Sequence, residues 1–462
     1  MARDWAVTSA AVVLPVAAVE EGLVVALNHD AEGVVRSGKT AFVPGALPGE
    51  RIRFRRRRPQ KQFDYGELLE VVSPSADRVV PRCAHFGVCG GCALQHLSPA
   101  AQLAAKEQEL RETLLRVAQL EPERWLPPLT GPHWNYRRRA RLGVKDVAKK
   151  ERVLVGFRER AKPYIADLNR CEILAEPVAS LLIPLAALIE RLSVRAQLPQ
   201  IEVAVAENAT ALVLRVLQPL TASDRDLLAA FARDHQVEFL LQPGGPQTVT
   251  ALTEPATDLY YSLPEFALQL RFQPLDFVQI NAGLNAAMIH QALELLGTGP
   301  DDRVLDLFCG LGNFSLPLAQ RAAAVVGVEG DASLVVRARD NAAHNGLSNA
   351  EFHSADLAQP DQEARFWRDS YSQVLLDPPR AGAREVLRSI AALAPRRIVY
   401  VSCHPGTLAR DLGELTHEHG YVVRAAGVLD MFPHTTHVES MALLEPRRRP
   451  RDRIGDRVRV GI

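Results

Sequence analysis

The 462-residue sequence predicts an α/β protein: a parallel sheet with helices on both faces, preceded by a small β-barrel and a mixed α/β middle region. Three observations carry this. From about residue 276, apolar strands (VLDLF, AVVGVE, QVLLDPP, RIVYVSC) alternate with helical stretches, as in a sheet whose crossovers pack on either side. Between about 16 and 77, VVALN, GKTAFVPGALPGE, RIRFRRRR and YGELLEVV alternate apolar and polar residues with Gly and Pro punctuation, which reads as a barrel. Between 130 and 270, the strands RARLGVK, RVLVGFR, IEVAVAE, ALVLRVL and VEFLLQP mix with a helix around 174–195. The length asks for more than one core. The expected divisions are 1–78, 79–270, 271–446 and a basic tail, 447–462.

Composition narrows the class. A chain that is 47% hydrophobic and 23% charged is globular. No apolar run reaches the roughly 18 residues of a membrane span, so no membrane partner is expected. The Ala/Val-rich opening, MARDWAVTSAAVVLPVAAVE, carries Arg3, Asp4 and Pro15 and runs at once into strand-like sequence; it reads as the entry to the barrel rather than a signal. Net charge is zero, but its distribution is uneven. Residues 51–61, RIRFRRRRPQK, hold seven positive charges, the tail RRRPRDRIGDRVRVGI is similarly basic, and Arg137, Arg138, Arg139 and Arg141 form a third cluster. Such clusters point to local contact with a polyanion. Ser98-Pro99 caps a helix, AAQLAAKEQELRETLLRVA, with leucines at helical spacing. The six cysteines are not spaced as a secreted disulfide framework, and the expectation is a cytoplasmic monomer.

Val304-Leu-Asp-Leu-Phe-Cys-Gly-Leu-Gly-Asn313-Phe is a strand running into a Gly-rich turn and a helix. Gly310 and Gly312 let the backbone approach a ligand at the helix N-terminus. About twenty residues on, AVVGVE ends in Glu329, placed to accept hydrogen bonds from ribose hydroxyls. Asp356, in HSADL, lies where an adenine amino group would be met, and the next strand ends in Asp377-Pro-Pro-Arg380. A dehydrogenase would want a third glycine at 315, where this chain has Ser; the strand-end acids 306, 329, 356 and 377 suit S-adenosylmethionine.

RIVYVSC ends in Cys403, a thiol on the ligand-binding edge of such a sheet, and His434-Thr-Thr-His-Val-Glu439-Ser adds histidines and a carboxylate ahead of the strand MALLE. C5 of uracil is a poor nucleophile towards a sulfonium methyl until a thiolate adds to C6. A base must then remove the C5 proton. Cys403 and Glu439 are the candidates for these two roles. Arg380 after Asp-Pro-Pro, where amine methyltransferases place an aromatic, argues against that class. A cytosine-C5 enzyme uses two cysteines on its catalytic strands, whereas Cys309 lies in the cofactor turn and leaves Cys403 alone.

Cys83-x5-Cys89-x2-Cys92, with Cys171 downstream, can hold either a [4Fe–4S] cluster or a structural zinc, and the spacing alone does not choose. It is not the spacing of a radical S-adenosylmethionine enzyme.

LDLFCGLGNFSLPLA, VLLDPPRAG, VYVSCHPGTLARDL and HVES resemble the RNA 5-methyluridine methyltransferases across the C-terminal half, and FQPLDFVQIN is similar to that family's cofactor-contacting segment. The resemblance implies a Rossmann-like, S-adenosylmethionine-dependent domain. It implies cofactor roles for Gln279, Phe308, Asn313, Glu329, Asp356 and Asp377, with Cys403 as nucleophile and Glu439 as base. CAHFGVCGGCALQHL is similar to the cluster segment of the 23S rRNA uracil-1939 branch, and GKTAFVPGALPGE resembles its TRAM domain, an OB-like RNA-binding barrel. These likenesses span nearly all of residues 16–446. They imply 23S rRNA as substrate and a [4Fe–4S] cluster on Cys83, Cys89, Cys92 and Cys171, structural or RNA-binding in role. A tRNA-directed relative is expected to lack both barrel and cysteine segment, and a non-catalytic assembly factor is disfavoured by the intact Cys403 and Glu439. One departure is His404, where many relatives carry a polar amide; it is expected to tune the site without changing the reaction. Phe432 is expected to be a core aromatic ahead of a base-stacking one.

Overall fold

The computed structural model describes residues 18–447, in two compact units: one of residues up to 81 with 93–101, the other of 82–92 and everything from 102 onward. The opening stretch to residue 17 and the basic tail from 448 lie outside the described residues.

In the first unit β1 (Val19–Leu27), β2 (Glu32–Val35), β3 (Ala41–Pro44), β4 (Arg51–Pro59) and β5 (Asp64–Ser73) close into the expected barrel, in the order β1-β2-β3-β5-β4. Alternation fills it: Val24, Val35, Val43, Ile52 and Phe54 turn inward. Arg51, Arg53 and Arg57 of β4 are exposed, and the charges of Arg53, Arg56 and Arg57 meet carboxylates from neighbouring strands. Arg53 bridges Glu21, its cross-strand partner in the ladder, and Glu70; Arg56 bridges Glu20 and Asp64; Arg57 bonds Glu67. The sequence shows the arginines as one block, whereas the neutralising acids come from up to 36 residues away.

The second unit, resuming at residue 102, holds most of helix α1 (Pro99–Thr113) and then the two-residue β6 (Arg124–Trp125). The buried stripe of α1 within this unit is Gln102, Lys106 and Leu110, so the helix turns two polar side chains inward. Next comes a six-stranded sheet of β7 (Arg139–Val147), β8 (Arg152–Gly156), β9 (Gln200–Val205), β10 (Thr210–Arg215), β11 (Glu238–Gln242) and β12 (Thr250–Ala251), in the order β12-β11-β10-β9-β7-β8. Its helices are α2 (Leu182–Glu190) and α3 (Ala222–His235). A Thr221–Asp224 capping box starts α3. A hairpin, β13 (Leu259–Leu263) and β14 (Leu268–Phe272), leads on to helix α4 (Ala282–Leu296).

The remaining elements are β15 (Arg303–Leu307), α5 (Ser315–Ala319), β16 (Ala324–Glu329), α6 (Ala332–His344), β17 (Ala350–Ser354), β18 (Gln373–Leu376), α7 (Arg384–Leu393), β19 (Arg397–Ser402), α8 (Pro405–His417), β20 (Tyr421–Leu429) and β21 (Glu439–Pro446). The sheet runs β17-β16-β15-β18-β19-β21-β20-β6. Alternate residues feed two cores: Val304, Leu375 and Val399 join one, while Leu305, Leu376, Ile398 and Tyr400 join the other. This is the doubly wound arrangement that the strand–helix alternation predicts. It differs from a purely parallel sheet at one edge, where β21 is antiparallel to both β19 and β20. Strand order reverses between β15 and β18, so their carboxyl ends form the crevice where such sheets bind ligands.

Candidate active site

Four acidic or thiol side chains converge at that crevice. Asp306 is the penultimate residue of β15 and Asp377 follows β18 directly. Cys403 follows β19, and Glu439 opens β21. Ser402 pairs with Ser440 in the antiparallel ladder, so continuing the register by one residue sets Cys403 opposite Glu439. The reversed β21 is what brings a residue 36 positions later in sequence to the end of β19.

Electrostatics show how closely these groups sit. Burial pushes the Glu439 carboxyl up to about 8, with Asp377 adding to the shift. Burial raises Asp377 to about 7, and Asp306 to about 7 with help from Asp377 and Glu329. The Cys403 thiol is pushed up to about 11 by burial, then by Glu439 and Asp377, against a lowering effect from Arg380. An acidic crevice that resists its own ionisation favours a cationic ligand.

The Gly-rich turn is shaped for close approach. Phe308 adopts φ of +64°, a strained conformation for a non-glycine residue at the end of β15. At Gly310, with φ of +56°, a Cβ would meet no atom within 4 Å, leaving the space above the turn open. Glu329 accepts hydrogen bonds from the Gly310 and Asp331 N–H groups, both at 3.0 Å, fixing its carboxylate beside the turn. Asp306 accepts from Ser315 Oγ through one oxygen, and its other oxygen is buried without a partner.

The remaining sequence candidates are placed as follows. Asn313 exchanges two amide hydrogen bonds with Asn285 and accepts a third from the Tyr261 hydroxyl, so its side chain is held within the protein. Asp356 stands exposed past β17, accepting from Ala358 N–H, and Gln279 is half-buried between β14 and α4. No hydrogen bond or ion pair among the described residues ties either to the Cys403 group. Cys309 is a buried packing residue of the core. Phe432 is half-buried against the same core. His404 caps α8, its Nδ1 accepting from Thr407 N–H at 3.2 Å.

Sequence reasoning missed the supports of the loop leading to Glu439. Lys106 Nζ donates to Asp430 Oδ1 at 2.7 Å and to the Phe432 carbonyl at 2.9 Å, with both charged side chains almost fully buried. One turn earlier, Gln102 accepts from His434 N–H at 2.9 Å and contacts its ring Nδ1 at 3.2 Å. His434 has φ of +67° and stacks on Trp134 at 4.0 Å between centroids. Burial drives it down to about 4, so it is a neutral structural ring near pH 7. The Arg82 guanidinium lies over the same Trp134, 5.2 Å from its centroid. Polar residues inside α1 were the available signal, and only the partner's position explains them.

The four N-terminal-half cysteines act on one another or on a common neighbour electrostatically. Burial, with Cys89 and Cys83 adding to it, pushes the Cys171 thiol up to about 11, and Cys92 and Cys171 both act on the Tyr136 hydroxyl. Cys171 accepts backbone hydrogen bonds from Ile173 and Leu174, and Cys89 Sγ accepts from Gly91 N–H at 3.4 Å.

A doubly wound sheet with a strand-end thiol, an opposing carboxylate and an acidic Gly-turn crevice defines a methyltransferase-like site. Comparison with known proteins agrees. The family model described as tRNA (Uracil-5-)-methyltransferase matches residues 98–447. The 23S rRNA (uracil(1939)-C(5))-methyltransferase RlmD of Alkalilimnicola ehrlichii is 51% identical over 421 residues, 91% of this chain and 95% of that protein. The protein of the same name from Nitrosococcus oceani is 51% identical over 428 residues, 92% of this chain and 95% of its own. Among solved structures, Pyrococcus abyssi tRNA (uracil-54, C5)-methyltransferase in complex with S-adenosyl-L-homocysteine superposes with a TM-score of 0.71, at 24% identity, over 92% of this chain and 100% of that one. This chain belongs to the RNA uracil-C5 methyltransferase family.

Proposed function

We propose that the protein transfers a methyl group from S-adenosylmethionine to C5 of a uridine in 23S rRNA, of the uracil-1939 type, forming 5-methyluridine. The observation that carries this is Cys403 set opposite Glu439 beside Asp377 at the carboxyl edge of the sheet. The relatives' printed substrate and about 50% identity over nine-tenths of the chain supply the RNA.

The crevice fits the methyl donor: an orphaned buried carboxylate oxygen on Asp306, open space at Gly310 and the fixed carboxylate of Glu329 suit a cationic nucleoside ligand. When bound, S-adenosylmethionine supplies an electrophilic methyl on a sulfonium. Gln279, Phe308, Asn313, Glu329, Asp356 and Asp377 are the residues assigned to hold it. The Cys403 thiol gives its proton to solvent and adds as the thiolate to C6 of the unstacked uracil, forming an S–C6 bond and an enolate. C5 then attacks the methyl carbon, and the electron pair of the broken bond stays with the departing sulfur. Glu439 removes the C5 proton, the S–C6 bond breaks, and the thiolate leaves as the ring double bond re-forms.

Cys83, Cys89, Cys92 and Cys171 are the proposed ligands of a [4Fe–4S] cluster. Thiols from 83–92 and from 171, coupled electrostatically and with backbone N–H groups aimed at two sulfurs, suit one. The cluster would cross-link these segments, since methyl transfer consumes no electron. On this reading residues 1–78 serve RNA binding, 79–270 carry the cluster and 271–446 perform the chemistry. Among the described residues no helix is long and apolar enough to cross a membrane.

Tritiated methyl transfer to unmodified 23S rRNA and to unmodified tRNA, with the labelled nucleotide mapped, tests the proposal. Label in one 5-methyluridine of 23S rRNA is expected. Label on tRNA alone, or on another 23S uridine, would replace the assigned substrate.

A further inference from the structure

The Arg137–Arg141 cluster is not used by the chemistry above, and its surroundings give it a second meaning. Along β7, Ala140, Leu142 and Val144 are buried while Arg141 and Lys145 are exposed. The buried set packs in the core with the apolar residues of α2, so Arg141, Gly143 and Lys145 lie on the opposite face of the sheet. That face floors a groove of about 900 Å³, lined among others by Arg141, Lys145, Lys150, Arg158 and Arg160, with Glu159 as its one carboxylate. A smaller depression shares Arg141, Pro199 and Gln200 with it and adds Arg139 and Arg215, against Glu202. Together they present seven cations and two carboxylates. Some of the charge is spoken for: Arg141 pairs with Glu202 and Lys150 with Asp167. Lys145 is exposed on the floor.

One rim is a β-turned loop, closed by the Glu159 N–H to Tyr164 O bond of 2.8 Å, that carries Arg158, Arg160 and Tyr164. Tyr164 lines the groove and is 65% exposed. The loop is braced by the cysteine segment. Gly90 N–H donates to Arg158 O and Arg160 N–H donates to Val88 O, both at 2.8 Å, and Cys89 bridges Glu159. A Cβ at Gly90 would come to 3.1 Å from Arg158 O, a contact tight enough that the loop backbone would have to shift to admit a side chain.

We infer that this groove is a track for a single-stranded RNA segment flanking the target uridine, with cations on its phosphates and Tyr164 stacked on a base, the loop being held in register by the cysteine segment. The inference rests on the proposed RNA methyltransferase activity. Charge complementarity selects a polyanion, and an exposed aromatic among spaced cations is the combination that single strands use. Contacts of this kind are blind to sequence, so the track supplies affinity while the crevice selects the uridine.

The test uses the full-length, cluster-loaded protein and a labelled unmodified 23S rRNA fragment spanning the target, with binding followed across a salt series. Lys145→Glu with Arg158→Glu is expected to raise Kd at least about 10-fold near 0.1 M salt and to flatten the salt slope by about 0.7 per lost contact. Tyr164→Ala is expected to weaken binding about 5-fold or more without changing that slope. S-adenosylmethionine affinity is expected to stay unchanged in all of these. Arg233→Glu, exposed on α3, is the control and is expected to leave RNA binding as it was. If the double reversal misfolds, Lys145→Gln with Arg158→Gln reports the same slope. Unchanged Kd and slope in a wild-type background that methylates 23S rRNA would overturn the track and leave the groove to a protein partner. Lost RNA affinity in the variants, with a wild type that methylates nothing, would uphold the track and instead remove the catalytic proposal.

Discussion

Glu439→Gln is expected to lower the rate of 5-methyluridine release by about 10²–10⁴-fold while a covalent protein–RNA complex accumulates. The amide keeps the size of the side chain but cannot take the C5 proton. Addition by Cys403 and methyl transfer precede that step, so the block falls after the S–C6 bond has formed. Burial and Asp377 hold the Glu439 carboxyl at about 8. Only its ionised form is a base, so the rate of 5-methyluridine release from the covalent complex is expected to climb about 10-fold per pH unit below that value and to flatten above it. The variant should lack this limb. The same shift sets a stability effect of definite sign. A carboxyl held above its ordinary 4.5 disfavours the charged form in the folded protein, so its stabilising contribution is complete at low pH and is lost as pH rises through about 8. Glu439→Gln is therefore expected to unfold at a higher temperature than wild type at pH 8, although it has lost turnover. Single-turnover kinetics and a denaturing gel read the chemistry; wild-type release rates in the variant would remove Glu439 as the base.

Lys106→Met is expected to cost about 3–5 kcal/mol, because it leaves the buried Asp430 carboxylate without its cation. It also frees the Phe432 carbonyl that Lys106 holds, loosening the loop between β20 and Glu439. Turnover should fall at temperatures where the variant is still folded. Lys106→Met combined with Asp430→Leu is expected to recover most of the lost stability, since replacing both partners of a buried pair by apolar groups is close to neutral. Urea unfolding of the two variants decides the matter. Equal losses in the single and double variants would mean that packing volume, not the unpaired charge, carries the cost.

These two sites differ in how visible they are from sequence. The Cys403 and Glu439 candidates lie in short local patterns at the ends of apolar strands, and strand-end position alone delivers a side chain to the ligand edge of a doubly wound sheet. The barrel was legible for a similar reason, because its alternation is a local property of each strand. What brings Cys403 and Glu439 together was not legible. It depends on β21 entering antiparallel between β19 and β20, a non-local choice that leaves no periodic trace. Lys106 and Asp430 are 324 residues apart, and each alone reads as an ordinary surface charge. His434 looked like a source of acid–base chemistry, yet stacking on Trp134 and the clamp of Gln102 make it a neutral support. The β4 arginines read as one basic block because the acids that neutralise them arrive from other strands.

The most direct test of the account is to map the covalent bond itself. Unmodified 23S rRNA fragment carrying 5-fluorouridine at the target position is incubated with the wild-type protein and S-adenosylmethionine, digested, and the peptides weighed. Fluorine cannot leave C5 as a proton does, so the step assigned to Glu439 has nothing to remove and the adduct persists. The account predicts the added mass of the nucleotide plus one methyl group on the peptide carrying Cys403. The same mass on the peptide carrying Cys309, or methylated RNA with no adduct on any cysteine, would contradict it.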